Sequence, residues 1–138
     1  MRSAACFGAE VDIVEPCGFP IGAKDLRRAA MDYAEAANPV LHASWDAFKA
    51  SHKKNSRLIL LSTKADRSIW EFHFEATDHL ILGQESAGVP DHVRDDAHAA
   101  VKIPLAASAR SLNVSVAGAV ALAEMRRQLG EQAEPKCS

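Results

Sequence analysis

Residues 100–130 read AVKIPLAASARSLNVSVAGAVALAEMRRQLG, and the fold turns on how this stretch divides. AVKIP has the length and apolarity of a strand. From about Leu112 to Leu129 the pattern is helical, with Val114, Val116, Val120, Leu122 and Met125 on nearly all sides of the cylinder. Ala117, Gly118, Ala119, Ala121 and Ala123 between them permit close approach. Such a helix must be covered by a sheet on one side and by something else on another, and a second copy of the chain is the economical candidate. The junction, Arg110-Ser-Leu-Asn-Val-Ser115, carries three groups, Ser111, Asn113 and Ser115, that can serve the partnerless N–H groups at a helix start. One cap needs fewer, so the loop reads either as an ordinary N-cap or as the wall of a pocket.

Working outward, residues 81–90, ILGQESAGVP, repeat the form of a strand running into a loop. Gly83 and Gly88 stand at the outer spacing of a phosphate-binding loop, but Val89-Pro90 replaces the Lys-Ser/Thr that must follow, so a P-loop is rejected. What is left is a strand whose carboxyl end opens into a glycine-bearing loop, where open α/β sheets bind ligands. Glu85 is then either an acid in a cleft or a solvated loop carboxylate.

Upstream, EVDIVEP reads as a strand, PCGFPIG as a loop, and about Ala23 to Ala37 as a helix with Leu26, Ala29, Ala30, Tyr33, Ala34 and Ala37 on one stripe. Asn38-Pro39 ends it. WDAFKASH is a shorter helix, and RLILLS and DHLILG are strands. Strands alternating with helices predict an α/β fold with a mostly parallel sheet and helices on both faces. MRSAACF followed by Gly8 resembles the last turns of a helix with a glycine cap, and residues 131–138 form a polar tail.

The 138 residues, 48% hydrophobic and 25% charged, describe one soluble globular domain. No apolar stretch reaches the ~20 residues of a membrane helix, and MRSAACFGAEV lacks the apolar core of a secretory signal, so a cytoplasmic protein is expected. Cys6, Cys17 and Cys137 form no CxxC pair and the six histidines form no HxxxH or HExxH pattern, so no metal is expected. A formal charge of −2 excludes indiscriminate coating of nucleic acid and leaves room for a local basic patch. Lys24, Arg27 and Arg28, at i, i+3 and i+4, share a helix face that is either solvated or phosphate-contacting. Lys53, Lys54 and Arg57 form a second cluster within a surface turn.

Taken together, EPCGFPIGAKDLRRAAMDY, LILGQESAGVP and IPLAASARSLNVSVAGAVALAE resemble the SpoU branch of the SPOUT RNA methyltransferases. The last two segments match that branch's second and third motifs in order and at a familiar separation. The first, with EPxGF and KxLRRAxxDY, is most similar to the small bacterial tRNA wobble-position 2′-O-methyltransferases, which act on cytidine or modified uridine at position 34. The likeness spans residues 2 to about 130, the expected methyltransferase domain.

The resemblance, not periodicity, implies an S-adenosylmethionine-dependent enzyme whose carboxyl-terminal segment threads a trefoil knot, a rare exception to the connection rules. It implies cofactor contacts at Leu61, Gly83, Ile103 and Ser111, and acidic and amide site positions at Glu85 and Asn113. The family's proposed catalytic arginine falls on Arg2. By its pKa an arginine is a poor base, so Arg2 is expected to position the hydroxyl or stabilise the developing oxyanion. A homodimer is implied, with Lys24, Arg27 and Arg28 offered to tRNA, leucine tRNAs in particular. Two departures stand out. The family's first strand and Asn-x-Gly loop precede the arginine, so the chain is expected to lack both. Ala123 also stands where relatives often carry a tyrosine. The competing expectations are a SpoU-type enzyme for another tRNA or ribosomal RNA ribose, and a non-catalytic module that binds cofactor or RNA.

Overall fold

The computed structural model describes residues 6–14, 40–52, 54–83, 88–109 and 112–130. The chain divides into two compact units, Met1–His52 with Gln132–Ser138, and Lys53–Glu131.

In the first unit, strand β1 (Asp12–Val14) lies parallel to β2 (Val40–His42), with Asp12 opposite Val40 and Val14 opposite His42. A parallel pair needs a long crossover. The helix expected over Ala23 to Ala37 falls within that crossover and outside the described residues. His42, which is buried, meets the Asp12 carboxylate at 2.8 Å. Helix α1 (Trp45–Ser51) starts where the Ser44 hydroxyl accepts from the Ala47 N–H at 3.1 Å. It buries Trp45 and Phe48, and the Phe48 ring packs against Trp45 at 5.1 Å and edge-on to His42 at 5.2 Å. Gly8 ends the Cys6 turn with φ of 67°, as a glycine cap does.

The second unit is built on a parallel sheet of β3 (Leu58–Leu61), β4 (Arg67–Ser68), β5 (His79–Leu82) and β6 (Ala99–Lys102), in the order β4-β6-β3-β5. Central β3 is a continuous apolar run, Leu-Ile-Leu-Leu, because neighbours and both faces surround it. Ile59 and Val101, fully buried, form the core with Ile69, Phe72 and Phe74, against which Leu61, Ile103, Val120 and Met125 pack. Thus RLILLS, DHLILG and AVKIP form strands as expected. β5, last in the order, is only half-buried and leaves Leu82 42% exposed.

Helix α2 (Asp91–Asp96) and helix α3 (Val114–Leu129) complete the unit. α3 begins two residues later than expected, because Asn113 serves as its N-cap. Its buried face is Gly118, Ala121 and Glu124, one residue per turn. Glu124 is buried with its charge answered by Arg127, whose side chain donates to it at 2.6 and 2.9 Å. That guanidinium holds the Glu124 carboxyl below the usual glutamate range, against the opposing effect of burial. The Gln128 amide donates to the Phe72 carbonyl at 2.7 Å and accepts from the Phe74 N–H at 2.9 Å, fastening α3 to the segment that carries the core phenylalanines.

Candidate functional site

The two ends of this sheet are finished differently. At the amino end the Arg57 guanidinium donates twice to Asp78, at 2.8 and 2.7 Å, and once to the His73 carbonyl at 3.0 Å. The Asp78 side chain is fully buried, and its hydrogen bonds to Arg57 raise the arginine's pKa further above its ordinary value. The Leu58 N–H donates to Nδ1 of His98 at 2.8 Å, while the His98 N–H donates to the Leu58 carbonyl at 2.8 Å. Arg57 is therefore a structural tie between the starts of β3 and β5, and not a member of a basic surface cluster. Lys53 lies outside the described residues.

The carboxyl end presents main chain. Leu61 is the last residue of β3, Gly83 follows the last residue of β5, and Ile103 follows the last residue of β6. Leu61 stands opposite both Leu82 and Val101, so three residues expected to contact a cofactor come to one edge on three adjacent strands. The side chains of Leu61 and Ile103 pack against the core. Parallel sheets bind ligands at this end.

Gly83 is glycine for a steric reason. A Cβ there would lie 2.7 Å from the Gly88 carbonyl carbon and 2.9 Å from the Val89 nitrogen, so the loop could not close. Gly88, in contrast, has open space but a φ of 66°, which favours glycine by conformation. Residues 84–87 between them, Glu85 included, lie outside the described residues. Gly83 is among the residues expected at the site, and Gly88 is not. Its signal was a glycine ahead of Val-Pro where the chain must turn back.

At the α3 start, the Asn113 side-chain oxygen accepts from the Ser115 N–H at 2.9 Å and its carbonyl accepts from the Ala117 N–H at 2.8 Å. Asn113 is thus a true N-cap, and its amide NH2 still points to no partner among the described residues. Farther along, a Cβ at Gly118 would lie 2.9 Å from the end of the Leu82 side chain, so α3 crosses close to the end of β5. Gly118 is one of the small residues expected to permit close approach, and Leu82 is the neighbour it admits. Ser111, Arg2, Lys24, Arg27 and Arg28 lie outside the described residues.

Among the described residues no group of three or more His, Cys, Asp or Glu side chains is placed to hold a metal ion. None of their helices is long and apolar enough to cross a membrane. Three strand ends, the glycines Gly83 and Gly88 and a helix start capped by Asn113 fit the nucleoside-containing cofactor that the resemblance implies. Such a ligand needs directional hydrogen bonds and an apolar floor more than a cluster of charges.

Comparison with known proteins agrees with this geometry. Residues 1–123 match the model of the SpoU rRNA Methylase family. The tRNA (cytidine(34)-2′-O)-methyltransferase of Beijerinckia indica is 46% identical over 135 residues, covering 97% of this chain and 84% of that protein. A solved structure described as giving insights into the 2-OH methylation of C/U34 on tRNA superposes with a TM-score of 0.82 at 35% identity, covering 93% of this chain and 84% of that one. The SpoU methyltransferase AviRb from Streptomyces viridochromogenes, solved with the cofactor AdoMet, superposes with a TM-score of 0.76 at 25% identity, covering 93% of this chain and 53% of that one.

Proposed function

The chain belongs to the SpoU rRNA methylase family, and from that membership we propose that it methylates the ribose 2′-hydroxyl of the wobble nucleotide, position 34, of tRNA, using S-adenosylmethionine. The observation that carries this reading is the meeting of Leu61, Gly83 and Ile103 at the carboxyl ends of adjacent strands. The substrate follows from the relatives named for cytidine 34.

When bound, S-adenosylmethionine would supply an electrophilic methyl group, its S–C bond breaking as the O–C bond forms, with neutral S-adenosylhomocysteine and the hydroxyl proton, passed to solvent, as the other products. The chain's own part is positioning, which can account for much of the acceleration of a two-reactant displacement. The backbone at Leu61, Gly83 and Ile103 seats the nucleoside portion, and Ser111 completes the wall. The Asn113 NH2, not consumed by the cap, is available to donate to the ribose or to the Glu85 loop. Arg2 holds a phosphate or the hydroxyl and stabilises the oxygen as its proton leaves, while Lys24, Arg27 and Arg28 attract the RNA backbone.

The same reading takes residues 1–130 as the methyltransferase domain and 131–138 as its tail, with the carboxyl-terminal segment threaded as a trefoil knot. It takes the protein as a cytoplasmic homodimer. The exposed apolar side chains of Val116 and Leu129 on α3 support a partner there. Leucine tRNAs are the substrates we expect.

Incubation with tritiated S-adenosylmethionine and unmodified leucine tRNA, followed by nuclease mapping of the label, tests the reading. One 2′-O-methyl group at position 34, lost in Arg2→Ala with cofactor affinity kept, is the expected result. Label at another ribose would identify a different SpoU activity. Cofactor binding without any transfer would identify a non-catalytic module.

A further inference from the structure

We propose that Trp70 is a stacking platform for an unpaired base of the tRNA anticodon loop, set beside the cofactor edge of the sheet. The proposal rests on the reading of function above for the identity of the RNA. Trp70 is 51% exposed, whereas Trp45 is 8% exposed. A tryptophan held half in water is unusual for a residue of such apolar area.

Its exposure is built in by the turn that carries it. Ile69 before it is fully buried and Phe72 after it is 3% exposed, so both flanks are nailed into the core. The Trp70 N–H donates to the Ser68 hydroxyl at 3.0 Å, and the N–H groups of Glu71 and Phe72 both donate to the Ser68 carbonyl at 3.2 Å. The indole is thus displayed on a rigid support, which lowers the entropy cost of binding to it.

Its position is equally specific. Ser68 of β4 is paired with Lys102 of β6, and the Ile69 N–H donates to the Lys102 carbonyl at 2.9 Å. Lys102 immediately precedes Ile103, so Trp70 leaves the sheet at the carboxyl end, next to the strand assigned to the cofactor. Lys64, three residues beyond the end of β3, rises at the same end, its N–H held by the Ser62 hydroxyl at 3.2 Å. Arg67 does not join it, because its guanidinium lies over the Phe72 ring at 5.4 Å, the ring that Arg57 of the amino end covers at 5.2 Å. Neither Lys64 nor Lys102 is in an ion pair among the described residues.

An isolated aromatic face among charged residues suits a flat, polar-edged ligand near a phosphate chain. It suits a second protein less well, because a protein interface needs a contiguous apolar patch. Single-stranded loops are recognised by just this combination of a stacking ring and nearby cations. Duplex RNA, whose bases are already stacked, offers the indole nothing.

The test titrates the full chain with an anticodon stem-loop RNA carrying cytidine at position 34, and with a fully paired RNA of equal length, following tryptophan emission. Stem-loop binding should quench emission in the wild type and not in Trp70→Phe, and the paired RNA should leave emission unchanged. Trp70→Ala should weaken stem-loop affinity about 5- to 150-fold, as loss of one base stack does, with S-adenosylmethionine affinity unaltered and Trp70→Phe retaining most of the wild-type value. Unchanged emission, equal affinity in Trp70→Ala, or a fall in the sedimenting mass of Trp70→Ala, which marks a self-association surface, would overturn the assignment. Methyl transfer scored on the same RNA separates the two readings. Quenching without transfer supports the platform and refutes the enzyme assignment, and transfer without any change at Trp70 does the reverse.

Discussion

The amino and carboxyl ends of the β4-β6-β3-β5 sheet are made from the same strands and solve opposite problems. At the amino end, side chains tie the strand starts together: Arg57 is forked onto Asp78, and His98 exchanges hydrogen bonds with Leu58. At the carboxyl end the strands stop at Leu61, Leu82 and Lys102, and Ser62, Gly83 and Ile103 follow them. The difference teaches where stability has been placed. A buried charge pair holds one end together, and the other end, where the proposed site lies, keeps Lys64 and Lys102 outside any ion pair among the described residues.

The comparison can be broken first at its closed end. Asp78→Ala leaves the Arg57 guanidinium, one third exposed, without its buried partner. Breaking a fully buried pair costs about 3–5 kcal/mol, and water reaching Arg57 should reduce this to about 2–3 kcal/mol. Urea unfolding is expected to show that loss, while cofactor affinity per folded molecule, measured by calorimetry, stays at the wild-type value. A large drop in affinity at unchanged stability would mean that the closed end serves the ligand.

The open end gives the complementary result. Gly83→Ala has no φ penalty, yet its Cβ would meet main chain at Gly88 and Val89. Overpacking of this kind costs about 1–3 kcal/mol. Here it should appear as a displaced Gly88–Val89 backbone, seen as weaker cofactor binding by a factor of about 5 to 150, with a melting temperature close to that of the wild type. Full affinity in Gly83→Ala would show that this close approach does not shape the site.

The smallest effect concerns the Glu124–Arg127–Gln128 network, which uses charge structurally, as the amino end does. Because the folded-state pKa of Glu124 is lowered, its contribution is present above the ordinary glutamate range and is lost as pH falls through the lowered value. The melting-temperature advantage of the wild type over Glu124→Gln should therefore be constant near neutrality and shrink below about pH 4. Arg127 is 69% exposed, so the change should be slight. An advantage that grows in acid would reverse the assignment.

Much of the open end was legible in the chain because its signals are local. Apolar runs ending in Leu61, Leu82 and Lys102 read as strands, and glycine or polar residues after them read as loops. The family likeness named Leu61, Gly83 and Ile103, and the fold brings them to one edge. The closed end was not legible. Arg57 sits near Lys53 and Lys54 in sequence, but its partner Asp78 is 21 residues away, and only the fold joins them. Three elements were also missed. β2 and β4 are three and two residues long, too short for any alternation to register, and α2 buries only Val93, so it has no apolar stripe. The reason for Gly83, close approach of the backbone five and six residues on, is likewise invisible without coordinates.

Hydrogen–deuterium exchange with and without S-adenosylmethionine tests the central claim most directly. The account predicts slowed exchange of the amides at Gly83 and Ile103, and unchanged exchange at Leu58, His79 and His98. Protection confined to the amino end, or absent from both carboxyl-end positions at saturating cofactor, would contradict it.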